Sequence, residues 1–348
     1  MKKSTTISVD LAKSVFEIAV SDHPGRVRER HRLSRAGFQR FLAQQQPTTV
    51  LLEACGSAHH WGRELQSLGH RPLLLPPHEV RRYVRRNKTD RADAKGMLEA
   101  YRNEDIQPVP VKTTGQQALM ALHRTRSAWL ATRTARINLA RGLLREFGVA
   151  IPLGPHNVLP RIAALLADPP DELPAPVRPL LEALAAEIHD LEPRIRSVEL
   201  QLRTLARDTA TVGRLMTIPG VGLLTATALV AFVGNASRFH SGRRFASYLG
   251  LTPKEHSSAL RRRLGAISKC GDTYLRTLLT HGARAVLRAA VVSAGHGKPL
   301  DRLRAWAVQL QHKRGHNKAT IALANKLARI AWAVWVHDEP FREVPTTA

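Results

Sequence analysis

Two rhythms of apolar and polar residues divide this chain. In the first, short apolar runs alternate with helical patterns. TISVD (6–10) reads as a brief strand, and Phe16, Ile18 and Val20 share one face of the next, Val15–Val20. His23-Pro24-Gly25 is a turn signal that predicts a hairpin. A third strand is expected where Arg26, Arg28, Arg30 and Arg32 alternate with Val27, Glu29, His31 and Leu33, which puts all four arginines on one face. An edge strand protected by charge and a stripe that touches phosphates both account for that pattern. A helix over 35–45 leads to TTVLLEA (48–54), apolar enough for a strand buried on both faces. A helix near 58–68, a strand RPLLLPP (71–77) and helical segments over 78–102 follow.

From residue 114 the rhythm is helical and rich in Ala, Leu and Arg, broken by DPPDELPAP at 168–176. Val177 to Leu205 then carries apolar residues at alternating spacings of four and three, a heptad seam expected to pair with the 114–148 helix or with a second subunit. Pro193 lies inside the seam and is expected to kink or restart the helix. The remainder is mostly α, with TIPGVG (217–222) placed as the turn of a helix-hairpin-helix. Gly220 and Gly222 there would allow a close approach and offer backbone N–H groups to a phosphate, or make an ordinary tight turn. The domains read as 1–108, 109–208 and 209–340. The element order of the first is that of an α/β ribonuclease H-like fold, although periodicity by itself leaves other α/β layouts open.

Charge sharpens the picture. With 53 Lys and Arg against 28 Asp and Glu, the formal net charge is +25, which suits a polyanion because each neutralised phosphate releases counterions. Nothing is apolar over enough residues to span a bilayer. MKKSTTISVDLAK turns polar too early for a signal peptide, and Cys55 and Cys270 lack CxxC partners, so no disulfide framework or zinc site is expected. A bacterial cytoplasm fits, with nucleoid association during action.

Against this background the acids stand out. Asp90 and Asp93 fall at a helix start that Thr89 can cap, three residues apart and so on one face. Lys88, Arg91 and Lys95 would relieve their repulsion in a solvated cluster. Asp10 and Glu53 change the balance, because each ends an apolar strand where a carboxylate needs a partner. In a ribonuclease H-like sheet the first and fourth strands are neighbours. The four carboxylates would then form an all-oxygen site for Mg2+ or Mn2+, able to assist cleavage of a phosphodiester.

SVDLAK (8–13), LLEACGS (51–57) and NKTDRADA (87–94) resemble the DEDD motif of the insertion-sequence 110/1111 family of transposases. The resemblance implies a RuvC-like nuclease site of Asp10, Glu53, Asp90 and Asp93. ASYLGLTPKEHSSALRRRLGAISKCGDTYLRTLLTHGARA (246–285) resembles the C-terminal transposase domain of the same family. It implies a nucleophilic serine, best matched by Ser258 with Ser257 as the alternative; Ala259 replaces the usual glycine and Cys270 a usual basic residue. It further implies a 5′-phosphoserine link, strand exchange between donor and target DNA, a structured noncoding guide RNA, and a homo-oligomer, dimer or tetramer. Arg261, Arg262, Arg263, Lys269 and Arg276 are candidates to hold phosphates. Two other readings are a metal-only endonuclease of Holliday-junction type, which needs no serine, and a non-enzymatic nucleic-acid-binding protein.

Overall fold

Strand β1 (Thr6–Asp10) pairs antiparallel with β2 (Val15–Ser21), which pairs antiparallel with β3 (Glu29–Ser34). The chain then crosses over through α1 (Arg35–Ala43) to β4 (Thr49–Glu53), parallel to β1, and through α2 (Ala58–Ser67) to β5 (Arg71–Leu75), parallel to β4. The sheet order is β3-β2-β1-β4-β5 in this computed structural model, which describes residues 5–23, 26–84, 89–258 and 261–343. Pro24 and Gly25 of the expected turn lie outside the described residues. The chain divides into two units, Met1–Gly115 and Gln116–Ala348.

The two faces of the sheet have separate cores. Ile7, Val9, Phe16, Ile18, Val50 and Leu52 meet α1 and α2, where Phe16, Phe38 and Trp61 pack edge to face at 5.0–5.2 Å. Ala19 and Leu51 meet α3 (Pro77–Val80) and α4 (Asp90–Ala100) on the other face. Among the boundaries that differ from the sequence expectation are those of β3 and β5. The third strand starts at Glu29 rather than Arg26; Arg28 N still donates to Val20 O of β2 at 2.7 Å, and its side chain pairs with Asp22 (2.7 Å) and Glu29 (2.9 Å). Strand β5 stops at Leu75 because neither Pro76 nor Pro77 can donate to a ladder, and Pro77 opens α3 instead.

The second unit begins with α5 (Thr114–Glu146), α6 (Val158–Ala167) and α7 (Arg178–Arg207). The heptad seam is buried within this chain: Leu181, Leu184, Ile188, Leu191, Ile195, Val198 and Leu202 are all covered. Arg126–Glu199, Arg133–Glu192 and Arg136–Glu187 ion pairs fix α5 and α7 antiparallel, since one number rises as the other falls. Helix α7 runs through Pro193 without restarting. Pro193 is exposed, and the carbonyl of His189 that loses its helical partner also sits on an exposed residue, where water can serve it. Beyond it lie α8 (Ala210–Leu215), α9 (Leu223–Val233), α10 (Gly242–Tyr248), the hairpin β6 (Pro253–Glu255) and β7 (Leu264–Ile267), α11 (Thr273–Gly295), α12 (Arg302–Arg314) and α13 (His316–His337). Leu229, Leu279, Leu323 and Leu327 sit in their common core. Among the described residues, no helix is long and apolar enough to cross a membrane.

His123 ties α5 to this bundle. Its ring is fully buried, with Nδ1 3.0 Å from the Tyr274 hydroxyl and Nε2 3.0 Å from Thr227 Oγ1. Thr227 donates its own proton to Leu223 O, so Nε2–H donates to Thr227 and Nδ1 accepts from Tyr274. Burial, with Arg126 nearby, pulls the imidazole down to about 4 from its ordinary 6.5. The unfolded chain therefore binds the extra proton first. The contribution of His123 to stability should be complete above pH 6.5 and be lost as the pH drops from 6.5 to about 4, by about 3 kcal/mol. Urea melts across that window should show the slope in the wild type and a flatter one in His123→Gln.

Candidate active site

The register of the sheet sets the acids. Ser8 Oγ donates to Ala94 O at 2.7 Å, so Ser8 faces α4, and Asp10, two residues on, faces the same way. Leu51 belongs to the α4-side core, and Glu53 follows it by two. Val9 pairs with Leu52, which places Asp10 beside Glu53 on parallel strands about 4.8 Å apart. An independent sign of their proximity is the Cys55 thiol, pushed up by burial and then by the charges of Glu53 and Asp10.

Helix α4 runs against β1. Its C-terminal Leu98 and Tyr101 share a cleft with Thr6 and Thr49, the first residues of β1 and β4, so its N-terminus overlies the end of the sheet that carries Asp10 and Glu53. Thr89 caps that start through Ala92 N at 3.2 Å, and acids in the first turn suit the helix dipole. Asp93 lies one turn before the buried Met97 and is itself half-buried; Asp90 is exposed, in a cleft with Glu17, Arg30 and Arg32. Lys88, expected to balance the pair, lies outside the described residues.

Sequence reasoning missed Glu17. It pairs across the ladder with Asp10 on one side and Arg32 on the other, so a row Arg32, Glu17, Asp10, Glu53 crosses four strands on the α4 face. The signal was one charged residue inside the apolar run VFEIAV, on the face opposite to Phe16, Ile18 and Val20.

Among the described residues no three acidic, His or Cys side chains already meet as a complete ligand set. The donors present are nevertheless all oxygens, paired side by side on rigid strands. A magnesium ion commonly takes only one or two carboxylates and fills its shell with water and substrate phosphate. In donor type and placement the face fits Mg2+ or Mn2+.

In the second unit, hydrogen bonds extend the β6–β7 hairpin outward: His256 N to Arg263 O (2.9 Å) and Arg261 N to Ser258 O (3.0 Å). Ser257 and Ser258 lie near its tip, and Ala259 lies outside the described residues. Ser257 Oγ donates to Glu255 Oε1 at 2.7 Å and accepts Arg263 N–H at 3.1 Å. Ser258 is exposed, and only its backbone enters a hydrogen bond among the described residues. Arg261, Arg262 and Arg263 are exposed around it, with Arg262 3.5 Å from Glu255. Lys269 is exposed at φ 55°, in the left-handed region. Arg276 differs from these cations: its guanidinium donates to Leu249 O (3.3 Å) and Cys270 O (3.1 Å), tying the base of the hairpin to α11.

Gly220 and Gly222 also part ways. Gly220 has φ 79°, and a Cβ there would sit 2.7 Å from Gly282 O; a Cβ on Gly282 would sit 2.0 Å from Gly220 O. The close approach that Gly220 permits is to α11. Gly222 is exposed at the start of α9, with open space around it. Gly282→Ala should therefore destabilise the protein by about 3 kcal/mol through overpacking. Gly213→Ala, with nothing within 4 Å, should be neutral or stabilise by about 0.5 kcal/mol. Thermal melts of the two variants check this.

Comparison with known proteins places these units. Residues 7–149 match a DEDD-type IS110 transposase family, and residues 212–296 match the family described as Transposase IS116/IS110/IS902. A probable family 20 transposase of Pseudomonas aeruginosa is 42% identical over 337 residues, covering 97% of this chain and 98% of that protein. The transposase for insertion sequence element IS1111A of Coxiella burnetii is 37% identical over 343 residues, 98% of this chain and 92% of its own length. A pilin gene-inverting protein of Moraxella lacunata is 32% identical over 130 residues, 36% of this chain and 37% of its own length.

Proposed function

The chain belongs to the IS116/IS110/IS902 family of transposases, and on that premise we propose that it is a DNA recombinase in which a hairpin serine attacks the phosphodiester and the acidic face holds divalent ions. The observation that carries the reading is Asp10 beside Glu53 on parallel strands, under a helix that begins with Asp90 and Asp93. We assign a RuvC-like nuclease role to residues 1–108, a helical linker to 109–208 and the transposase domain to 209–340.

In the proposed step Ser258 Oγ bonds to phosphorus as the 3′ oxygen leaves with its electron pair. The serine proton is lost to a base, and the departing oxygen gains one. The resulting 5′-phosphoserine keeps the energy of the bond, so a 3′-hydroxyl of another strand can attack the same phosphorus and expel Oγ. When bound, Mg2+ or Mn2+ supplies charge neutralisation at the phosphoryl oxygens. Asp10, Glu53, Asp90 and Asp93 are the residues that would hold it. Arg261, Arg262, Arg263 and Lys269 would grip backbone phosphates beside the serine, while Arg276 holds the loop that presents them. Gly222, opening α9 after the TIPGVG turn, would offer backbone N–H to a phosphate in a helix-hairpin-helix contact.

The charge of +25 suits simultaneous binding of DNA and a structured noncoding guide RNA. We assign action as a homo-oligomer, dimer or tetramer, on donor and target DNA in the bacterial cytoplasm at the nucleoid. The test is to incubate the full chain with Mg2+ and DNA spanning an element end, then denature. A protein–DNA adduct at the 5′ side of the break is expected. Cleavage that leaves only free phosphate ends would favour the metal-only Holliday-junction-type endonuclease, and binding without cleavage the non-enzymatic reading.

A further inference from the structure

The arginine stripe of β3 has a place that its sequence could not assign. Sheet register puts Arg30 level with Ala19 and Arg32 level with Glu17, both on the face that α4 covers and on which Asp10 and Glu53 lie. Arg30 reaches across to α4, its Nη1 donating to Arg91 O at 3.2 Å. Two clefts meet at that bridge. One runs past Arg30, Arg91 and Lys95; the other past Arg30, Arg32, Arg91, Glu17 and Asp90. The two clefts, together termed the trough, share Arg30 and Arg91 and flank the start of α4 along the edge strand.

Its cations are available. Arg28 is committed to Asp22 and Glu29, but Arg30, Arg32, Arg91 and Lys95 enter no ion pair among the described residues. If the stripe served only to protect a sheet edge, its charges could face either side of the sheet. Here they face the acid-bearing side, one strand from Glu17 and two from Asp10. Arg30 and Arg32 stand two residues apart, roughly 6.8 Å along β3. Cations at that repeat would meet every second charge of a strand that carries one every ~3.4 Å along its axis.

We propose that this trough binds the sugar–phosphate backbone of the DNA strand being processed and leads it to the carboxylates, independently of base sequence. The inference rests on the acidic face being the cleavage site. It selects DNA over a guide RNA because only the strand to be cut has reason to run beside Asp90 and Glu17, whose charge would otherwise repel it.

The test compares three full-length proteins: wild type, Arg30→Gln/Arg32→Gln, and Arg203→Gln/Arg207→Gln. The last pair removes the same charge from exposed positions on α7. Each is titrated with fluorescent single-stranded DNA and with RNA of the same sequence over a range of salt. The trough variant should lose about tenfold in DNA affinity at low salt. Its slope of log K on log salt should be shallower by up to about 1.4, or about 0.7 for each phosphate that is no longer neutralised. Changing the DNA sequence should not alter that loss. An unchanged slope, an equal loss in the α7 variant, or a loss confined to RNA would overturn the proposal. Asp10→Asn, titrated in parallel, separates the premise: it should bind DNA with the wild-type slope and fail to cut. Should it cut normally, the cleavage-site reading is lost whatever the slopes show. Matching circular dichroism and melting curves exclude misfolding as the cause.

Discussion

Asp10→Asn and Glu53→Gln should each lower the rate of DNA cleavage on the order of 10^3-fold or more, while the folded protein should become no less stable. The size follows from the chemistry removed. A divalent ion at a phosphoryl centre contributes several kcal/mol to the barrier, and each 1.36 kcal/mol is about a factor of ten. The stability half of the prediction comes from the sheet. Glu17, Asp10 and Glu53 stand at one level on adjacent strands, and like charges directly opposite destabilise a ladder by roughly 0.2–1 kcal/mol. Removing one carboxylate relieves that repulsion in the metal-free protein. Mg2+ should therefore raise the melting temperature of the wild type, by binding the folded state alone, and raise that of Asp10→Asn much less. Chelation should bring the wild type back to or below the variant. A purely structural acid would behave oppositely, with its loss lowering the melting temperature and leaving cleavage in place. That pattern would sink the assignment.

How much of this was legible before the structure depends on the element. Strands β1, β2 and β4 could be read because their apolar residues alternate or run unbroken, and the structure places β1 beside β4 as expected. The capping of α4 by Thr89 was equally plain, since a hydroxyl before two acids is a local signal. What could not be read was anything that depends on facing. A strand pattern says that Arg30 and Arg32 share a side, but pairing decides which side. Glu17 escaped for the same reason. The heptad seam left two partners open, because an apolar stripe does not encode whether its cover comes from the same chain. The salt bridges to α5 show the cover for these residues to be internal. The glycines of TIPGVG look equivalent in sequence, and only the approach of Gly282 separates the packing glycine from the exposed one.

Ser258→Ala should eliminate the covalent protein–DNA adduct, and Ser257→Ala should leave it weakened by about tenfold. The two hydroxyls differ in what they already do. Ser257 is held between Glu255 Oε1 and Arg263 N–H, so it braces the hairpin; Ser258 is exposed, with Arg261, Arg262 and Arg263 exposed close by. Loss of the brace should cost one or two hydrogen bonds, about 1–2 kcal/mol of hairpin order, which corresponds to the partial loss. The rival assignment has a physical basis, because a carboxylate 2.7 Å from a serine hydroxyl is the geometry of a base poised on its nucleophile. Glu255→Gln separates the two. Glutamine can still accept the hydroxyl hydrogen bond but cannot take the proton, so a bracing serine tolerates it and a nucleophilic Ser257 does not. Mass mapping of the trapped peptide should place the phosphodiester on Ser258, with Glu255→Gln retaining most of the adduct. An adduct on Ser257 that vanishes in Glu255→Gln would move the nucleophile by one residue and make Glu255 its base.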